Sequence, residues 1–416
     1  MKKNLKLLSS FLFFWAFLLL FKFGAGLHYT LLSPLGERLL PLWVVGALIS
    51  LGSLIQLILD IPAGIVLDRW GYKKILTLGT LVFVLAGIAL FFQFSSFYYI
   101  LSIFLATIGW LFFGPGGNAY ALSHATKKTA GTFMAYRDIF SSAGIVLACL
   151  LLAFIIQQSH RVIGLAIAST LFLAYLCICL SPKDLKKVKH SHHPHERTHK
   201  QRAYTFRNFF LALKRLNPAS TLLIFLEFTG AIFYGIVWFV VPLIIANIPK
   251  NAKFLGLGLS MFDLAVVVIG SILCAVIDRF DKKIMVFAGL LLFSIAGLLL
   301  GFSFGLPFIL FAFIATTGDE MASLPLWAWL HHLDKNHNRD GLISGLINLA
   351  EDLGWAIGPL IASLLYAFAG AQLTIALGAI PLLILLLVYE FGVRKHLVHT
   401  PFLEVPRKPH KYRHKS

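Results

Sequence analysis

Asp68-Arg69-Trp70-Gly71-Tyr72-Lys73-Lys74 is echoed half a chain later by Asp278-Arg279-Phe280-Asp281-Lys282-Lys283, in a sequence of 416 residues. Each copy ends one long apolar run and precedes another. The spacing reads as an internal duplication, two related halves each organised around a basic turn.

Composition sets the environment of those halves. Hydrophobic residues make up 58% of the chain and charged residues 13%, and the mean hydropathy is +0.83. A soluble domain is about one quarter charged, so most of this chain belongs in lipid. A hydrocarbon core is crossed by about 20 apolar residues. Twelve such runs are predicted: 7–32, 42–67, 75–94, 98–121, 131–157, 162–181, 218–246, 254–277, 284–304, 307–329, 341–369 and 372–393. The fold class expected is all-α, integral to the membrane, with two pseudo-symmetric six-helix halves. Duplicated bundles of this kind typify secondary transporters, with substrate bound between the halves.

The formal charge of +18 suggests nucleic acid until the charges are placed. With the N-terminus in the cytosol, the cytosolic segments hold 30 of the 36 Lys and Arg. The external loops hold only Arg38, Arg161, Lys250 and Lys253, and Lys22 and Arg137 lie inside helices. This is the positive-inside distribution, with both termini cytosolic in a cell (inner) membrane. The basic excess therefore encodes orientation and contact with anionic lipid headgroups, and no nucleic-acid partner is expected.

The polar stretch 182–217 divides the chain into a first half (1–181), a cytosolic linker, a second half (218–394) and a basic tail (395–416). The linker centre places five histidines within 190–199. Such a tract can bind a transition metal or lie as a solvated basic segment on the headgroups; Pro194 and the absence of cysteine favour the second. Cys149, Cys177, Cys179 and Cys274 fall in helices as apolar filler. The first run, with Lys22 inside it and no small-residue cleavage pattern, is read as helix 1 and not as a signal peptide.

A second repeat lies in helices 5 and 11. Gly341 and Gly345 are followed by Gly354, Gly358 and Pro359; helix 5 offers Gly131, then Phe140 and Gly144, with Asp138 matching Asp352 six residues before the glycine. Small residues four apart let helices approach closely in lipid, and a proline softens the helix at that point.

Together these residues resemble the major facilitator superfamily over the whole chain, in general pattern its drug and organic-solute transporters. Gly64-Ile65-Val66-Leu67-Asp68-Arg69-Trp70-Gly71-Tyr72-Lys73-Lys74 is similar to that family's signature between helices 2 and 3. The resemblance implies that Asp68 is a gate carboxylate capping helix 11, that Arg69 is its partner, and that Gly64, Gly71, Lys73 and Lys74 belong to the same latch. A carboxylate suits a helix N-terminus because of the macrodipole and the free N–H groups. Asp278 and Arg279 are the eroded second copy. Gly354, Gly358 and Pro359 would carry conformational change. Two positions depart from the drug exporters: Trp110 stands where they place an arginine, and Ile145 follows Gly144 where they place a proline.

Apart from Glu390 near the end of the last run, ten charges lie within the apolar runs: Lys22, Asp60, Arg137, Asp138, Glu227, Asp263, Asp319, Glu320, Glu351 and Asp352. Each is costly in lipid and should face a wet cavity or a partner. The family lines its cavity with helices 1, 2, 4, 5, 7, 8, 10 and 11, and none of the ten falls on helices 3, 6, 9 or 12. At about 1.5 Å per residue, Lys22, Glu227, Asp319, Glu320 and Glu351 lie near mid-depth and are assigned to coupling or substrate binding. Asp60, Arg137, Asp138, Asp263 and Asp352 are read as gate or ion-pair residues. A carboxyl exchanging its proton near neutrality would carry the coupling proton. The competing reading is permanent interhelical pairing, for instance Lys22 with Glu227 or Arg137 with Glu351.

Trp110, Tyr234, Trp238, Trp327, Trp329 and Trp355 lie on cavity-type helices, where an apolar or cationic substrate can stack; His28 is read as a satisfied polar residue. No phosphate-binding loop occurs in the cytosolic segments, and no nucleophile–base or metal-ligand constellation occurs in the helices. A membrane-embedded enzyme, a cofactor and a metal are therefore not expected. The expectation is a monomeric secondary transporter of a small organic molecule, exporting an amphiphilic or cationic compound against protons. Proton symport of a solute, or a non-transporting sensor or assembly factor on the same scaffold, are the alternatives.

Overall fold

The computed structural model describes residues 11–92, 95–125, 129–183, 218–248, 252–276, 280–333 and 340–394. Asp278, Arg279, the histidine-rich linker centre and the tail 395–416 lie outside the described residues. Among those described there is no strand; the chain is a succession of helices. They are α1 (Leu12–Glu37), α2 (Leu42–Trp70), α3 (Tyr72–Phe91), α4 (Ser96–Ser123), α5 (Ala130–Ile155), α6 (His160–Leu180), α7 (Pro218–Asn247), α8 (Ala252–Val276), α9 (Lys282–Gly301), α10 (Leu306–Leu333), α11 (Asp340–Gly378) and α12 (Ile380–Val388). A π turn, Tyr389–Val393, continues α12. With no water to satisfy backbone groups inside a bilayer, helices close their own hydrogen bonds and are the natural solution for such runs.

The expected boundaries shift at three places. Helix 1 was expected to end at residue 32 but continues through Pro34 to Glu37, because Leu31 to Gly36 are buried against neighbouring helices. Helix 2 runs on to Trp70. The break expected between 369 and 372 is no loop. Gly370 alone, at φ 74°, turns the chain inside one continuous helical stretch, and the apolar segment Gly345–Gly392 spans 48 residues, enough for two crossings.

Packing repeats between the halves. Within the first half α1 packs on α5 and α6, α2 on α4, and α3 on α4 and α6; within the second, α7 packs on α11 and α12, α8 on α10, and α9 on α10 and α12. The halves meet through α2 with α11, α5 with α8, and α1 with α7. These relations are exchanged by a pseudo-twofold that maps α1 onto α7.

The two faces differ. On the face away from the linker, successive helices are joined by four residues each: 38–41, 92–95, 156–159, 248–251 and 302–305. The linker face carries the longer connections, apart from Gly71, whose φ of 93° alone turns α2 into α3. That left-handed conformation suits glycine, which has no Cβ to clash.

The halves are closed at the short-loop face. Ser33 donates to the Phe239 carbonyl at 2.8 Å, and Asn247 donates to the Glu37 carboxylate at 3.5 Å. A Cβ on Gly46 of α2 would lie 2.6 Å from the Pro359 carbonyl oxygen of α11, and one on Gly256 of α8 would lie 2.7 Å from that of Cys149 on α5. Toward the linker face, a Cβ on Gly64 of α2 or on Gly345 of α11 would meet nothing within 4 Å among the described residues.

Candidate transport site

Between the halves lies a cavity of about 860 Å³. Its wall combines apolar positions with Lys22 on α1, Asp60 on α2, Arg137 on α5, Asp263 on α8, and Glu351 and Asp352 on α11. The inner end, toward the short loops, is walled by Tyr29, Trp238 and Trp355; toward the linker face the wall passes through Gln56, Asn118 and Asn348. The wall reaches furthest toward the linker face at Asn118 of α4 and Asn348 of α11.

Lys22 reaches the wall because Gly144 lets α1 and α5 touch: a Cβ on Gly144 would lie 2.9 Å from the Lys22 Cβ and from the Phe23 nitrogen. The Lys22 ammonium stands 4.4 Å from the Trp110 ring centroid and 5.5 Å from that of Phe113. It feels Asp263 across the interface, and Arg137 and Asp138 from α5. Neither candidate permanent pair is formed. Arg137 instead holds its neighbour Asp138 at 2.6 Å, while its Nε and the Asn118 Oδ1 are buried without a hydrogen-bond partner among the described residues.

A second group is purely acidic. Glu227 on α7 lies within electrostatic reach of Asp319 and Glu320 on α10 and of Glu351 on α11. Tyr234 donates its hydroxyl to Asp319 at 2.8 Å. Glu227, Asp319 and Glu320 do not line the central cavity. They group within the second half, and Glu351 belongs to both groups. Asp352 faces Asp60 across the α2–α11 gap.

The gate residues take these places. Asp68 and Arg69 are exposed, and Asp68 accepts from Tyr72 within its own turn at 3.0 Å. Lys73 donates to the Cys179 carbonyl at 2.8 Å and to that of Ser181, where a cation complements the C-terminal end of α6. Lys74 lies over the Trp70 ring at 5.7 Å. In the second copy Asp281 caps α9 by accepting from the Lys283 nitrogen at 2.8 Å. Gly354 and Gly358 are the contact of α11 with α7, a Cβ on Gly354 falling 2.6 Å from that of Ala231.

Of the uncharged wall residues, the sequence reading had Trp110, Trp238 and Trp355 but not Gln56, Asn118, Asn348 or Tyr29. Gln56 stands one helical turn before Asp60, and its isolation in an apolar run was the available signal. Tyr29 carried no signal among the chain's many aromatics. His28 also reaches the wall; its Nε2 lies 2.8 Å from the Ser102 hydroxyl, which donates to the Ala86 carbonyl at 2.9 Å, the satisfied arrangement expected of it.

The structure is similar to a bacterial homologue of the human lysosomal transporter Spinster in an inward-facing, unoccupied conformation (TM-score 0.74, 13% identity, 93% of this chain and 97% of that one). It is similar also to the E. coli xylose transporter in an inward-open conformation (0.65, 15%, 92% and 95%) and to a nucleoside transporter (0.66, 13%, 91% and 99%). No curated protein matches the chain in sequence. The family model of the Major Facilitator Superfamily matches residues 7–247 and again 223–411. This multi-pass chain of two related halves belongs to the major facilitator superfamily, whose members are membrane transporters and not enzymes.

Proposed function

We propose that this protein exports a small amphiphilic or cationic organic molecule in exchange for protons, by alternating exposure of the central cavity. The observation that carries the reading is the carboxylate excess around that cavity. Asp60, Asp263, Glu351 and Asp352 line it against Lys22 and Arg137, and Arg137 is already held by Asp138. Carboxylates withdrawn from water need a neutralising partner. A proton and an organic cation are alternative partners for the same groups, so occupation by one displaces the other, which is the thermodynamic requirement of exchange. The short-loop face is outside and the linker face cytosolic on the basic-residue distribution; the cavity end at Asn118 and Asn348 then faces the cytosol.

Reconstituted vesicles with an imposed pH gradient test this. Uptake of organic cations should accelerate when the inside is acid, in vesicles whose linker face is outward. Gradient-independent flux across cationic, neutral and anionic panels would overturn it. Flux with protons moving in the same direction as substrate would convert the reading to symport.

A further inference from the structure

We propose that Tyr29, Trp238 and Trp355 form an aromatic box for a substituted ammonium group, with Glu351 as its counter-ion. The proposal rests on the transport reading above and names the part of the substrate the cavity grips.

The three rings come from both halves and meet at the inner end of the cavity, where all three line its wall. Tyr29 of α1 stands 6.4 Å from Trp355 of α11 at an interplanar angle of 76°, and 6.4 Å from Trp238 of α7 at 58°. These separations fall within the range of edge-to-face ring pairs and also match what a shared cation requires. The cavity supplies its own ruler: Lys22 sits 4.4 Å from the Trp110 centroid. Two perpendicular rings, each that far from one cation, have centroids about 6.2 Å apart.

The cavity thus has two aromatic seats. The Trp110–Phe113 seat is filled by Lys22, whereas no lysine or arginine among the described residues lies over Tyr29, Trp238 or Trp355. Charge points the same way. Glu351 stands one turn before Trp355 on α11 and lines the same cavity, so a carboxylate borders the box. Tyr234 stacks on Trp355 at 6.5 Å and 19° and holds Asp319, which ties the box to the acidic group of the second half. Aromatic faces with a flanking carboxylate favour a bulky, weakly hydrated ammonium over a compact metal ion or a sugar. Because Tyr29 belongs to one half and the tryptophans to the other, a ligand in the box also bridges the elements that must rock.

The test uses the full-length protein in nanodiscs and calorimetric titration with (3-hydroxyphenyl)trimethylammonium and its neutral isostere 3-tert-butylphenol. The cation should bind at least about tenfold more tightly than the isostere. Trp355→Leu and Tyr29→Leu should each remove most of that preference, Trp355→Phe should keep it within about threefold, and Trp43→Phe, on the exposed start of α2, should leave it unchanged. Equal affinity for the two probes, no binding of either, or an unaltered preference in Trp355→Leu would overturn the box. The isostere comparison is made on the unaltered protein, so it holds even if a variant fails to fold. Selective binding without gradient-driven flux would sink the exchange reading and leave the box; flux of uncharged compounds without selective binding would do the reverse.

Discussion

Gly358 of α11 meets Gly235 of α7 backbone to backbone: a Cβ added to Gly358 would stand 2.9 Å from the Gly235 Cα and equally close to the Ile232 carbonyl oxygen. Gly144 makes the equivalent approach of α5 to α1, against Lys22 and Phe23. The two glycines occupy matching positions in the repeat, and each brings the innermost helices of its half together.

Gly358→Val should therefore destabilise the protein by roughly 1–3 kcal/mol, the usual range for forcing volume into a packed contact. Thermal unfolding in detergent should show a lower Tm. Gly345→Ala, where nothing stands within 4 Å, should leave Tm unchanged or raise it. Equal losses in both variants would remove the close crossing as the cause.

Lys22 and Asp263, on opposite halves, both line the cavity and lie within electrostatic reach of each other. Lys22→Gln and Asp263→Asn should each reduce stability by leaving the other charge uncompensated. The double variant should recover part of the loss, with a coupling of about 1–3 kcal/mol in a double-mutant cycle. Strict additivity in thermal melts would show that the two do not interact.

Glu227→Gln and Glu351→Gln should abolish gradient-driven accumulation while substrate exchange partly survives, because each removes an exchangeable charge without removing volume. Vesicle flux with and without a pH gradient separates the two activities. Coupling at the level of the unaltered protein in both variants would take these glutamates out of the coupling machinery.

Access can be read chemically. In a cysteine-free background, Gly64→Cys and Gly345→Cys should react readily with a membrane-impermeant maleimide from the linker side. Ser363→Cys, buried at the α2–α11 closure, should be protected. Mass spectrometry of the labelled protein gives the ratio; comparable labelling of 363 would mean that the short-loop face is not closed.

The helices and their pairing into halves could be read from the chain because both are properties of long apolar runs and of the repeated basic turn. Position along a helix was readable too, since it is a count of residues. Rotation about the helix axis was not. Glu227, Asp319 and Glu320 have the depth of the cavity but are not among its lining residues, whereas Asp263, read as a gate or ion-pair residue, lines it. A helix that is apolar on every side gives no stripe from which its inward face can be inferred. Which charge meets Lys22 depends on the register of one half against the other, a tertiary relation that no single helix records. The turn at Gly370 falls at the break read between 369 and 372, although one left-handed glycine makes it in place of the polar loop that usually announces a reversal.

The short-loop face has a consequence for how this molecule can be re-engineered. With four residues between successive helices there, a solute on that side meets helix ends, and no lid or recognition hairpin occurs among the described residues. Selectivity has nowhere to reside but the interior faces of the helices. Loop grafting, the usual route to a new specificity in scaffold proteins, has no purchase on that surface. Changing what passes through means repainting a few interior ring and carboxylate positions.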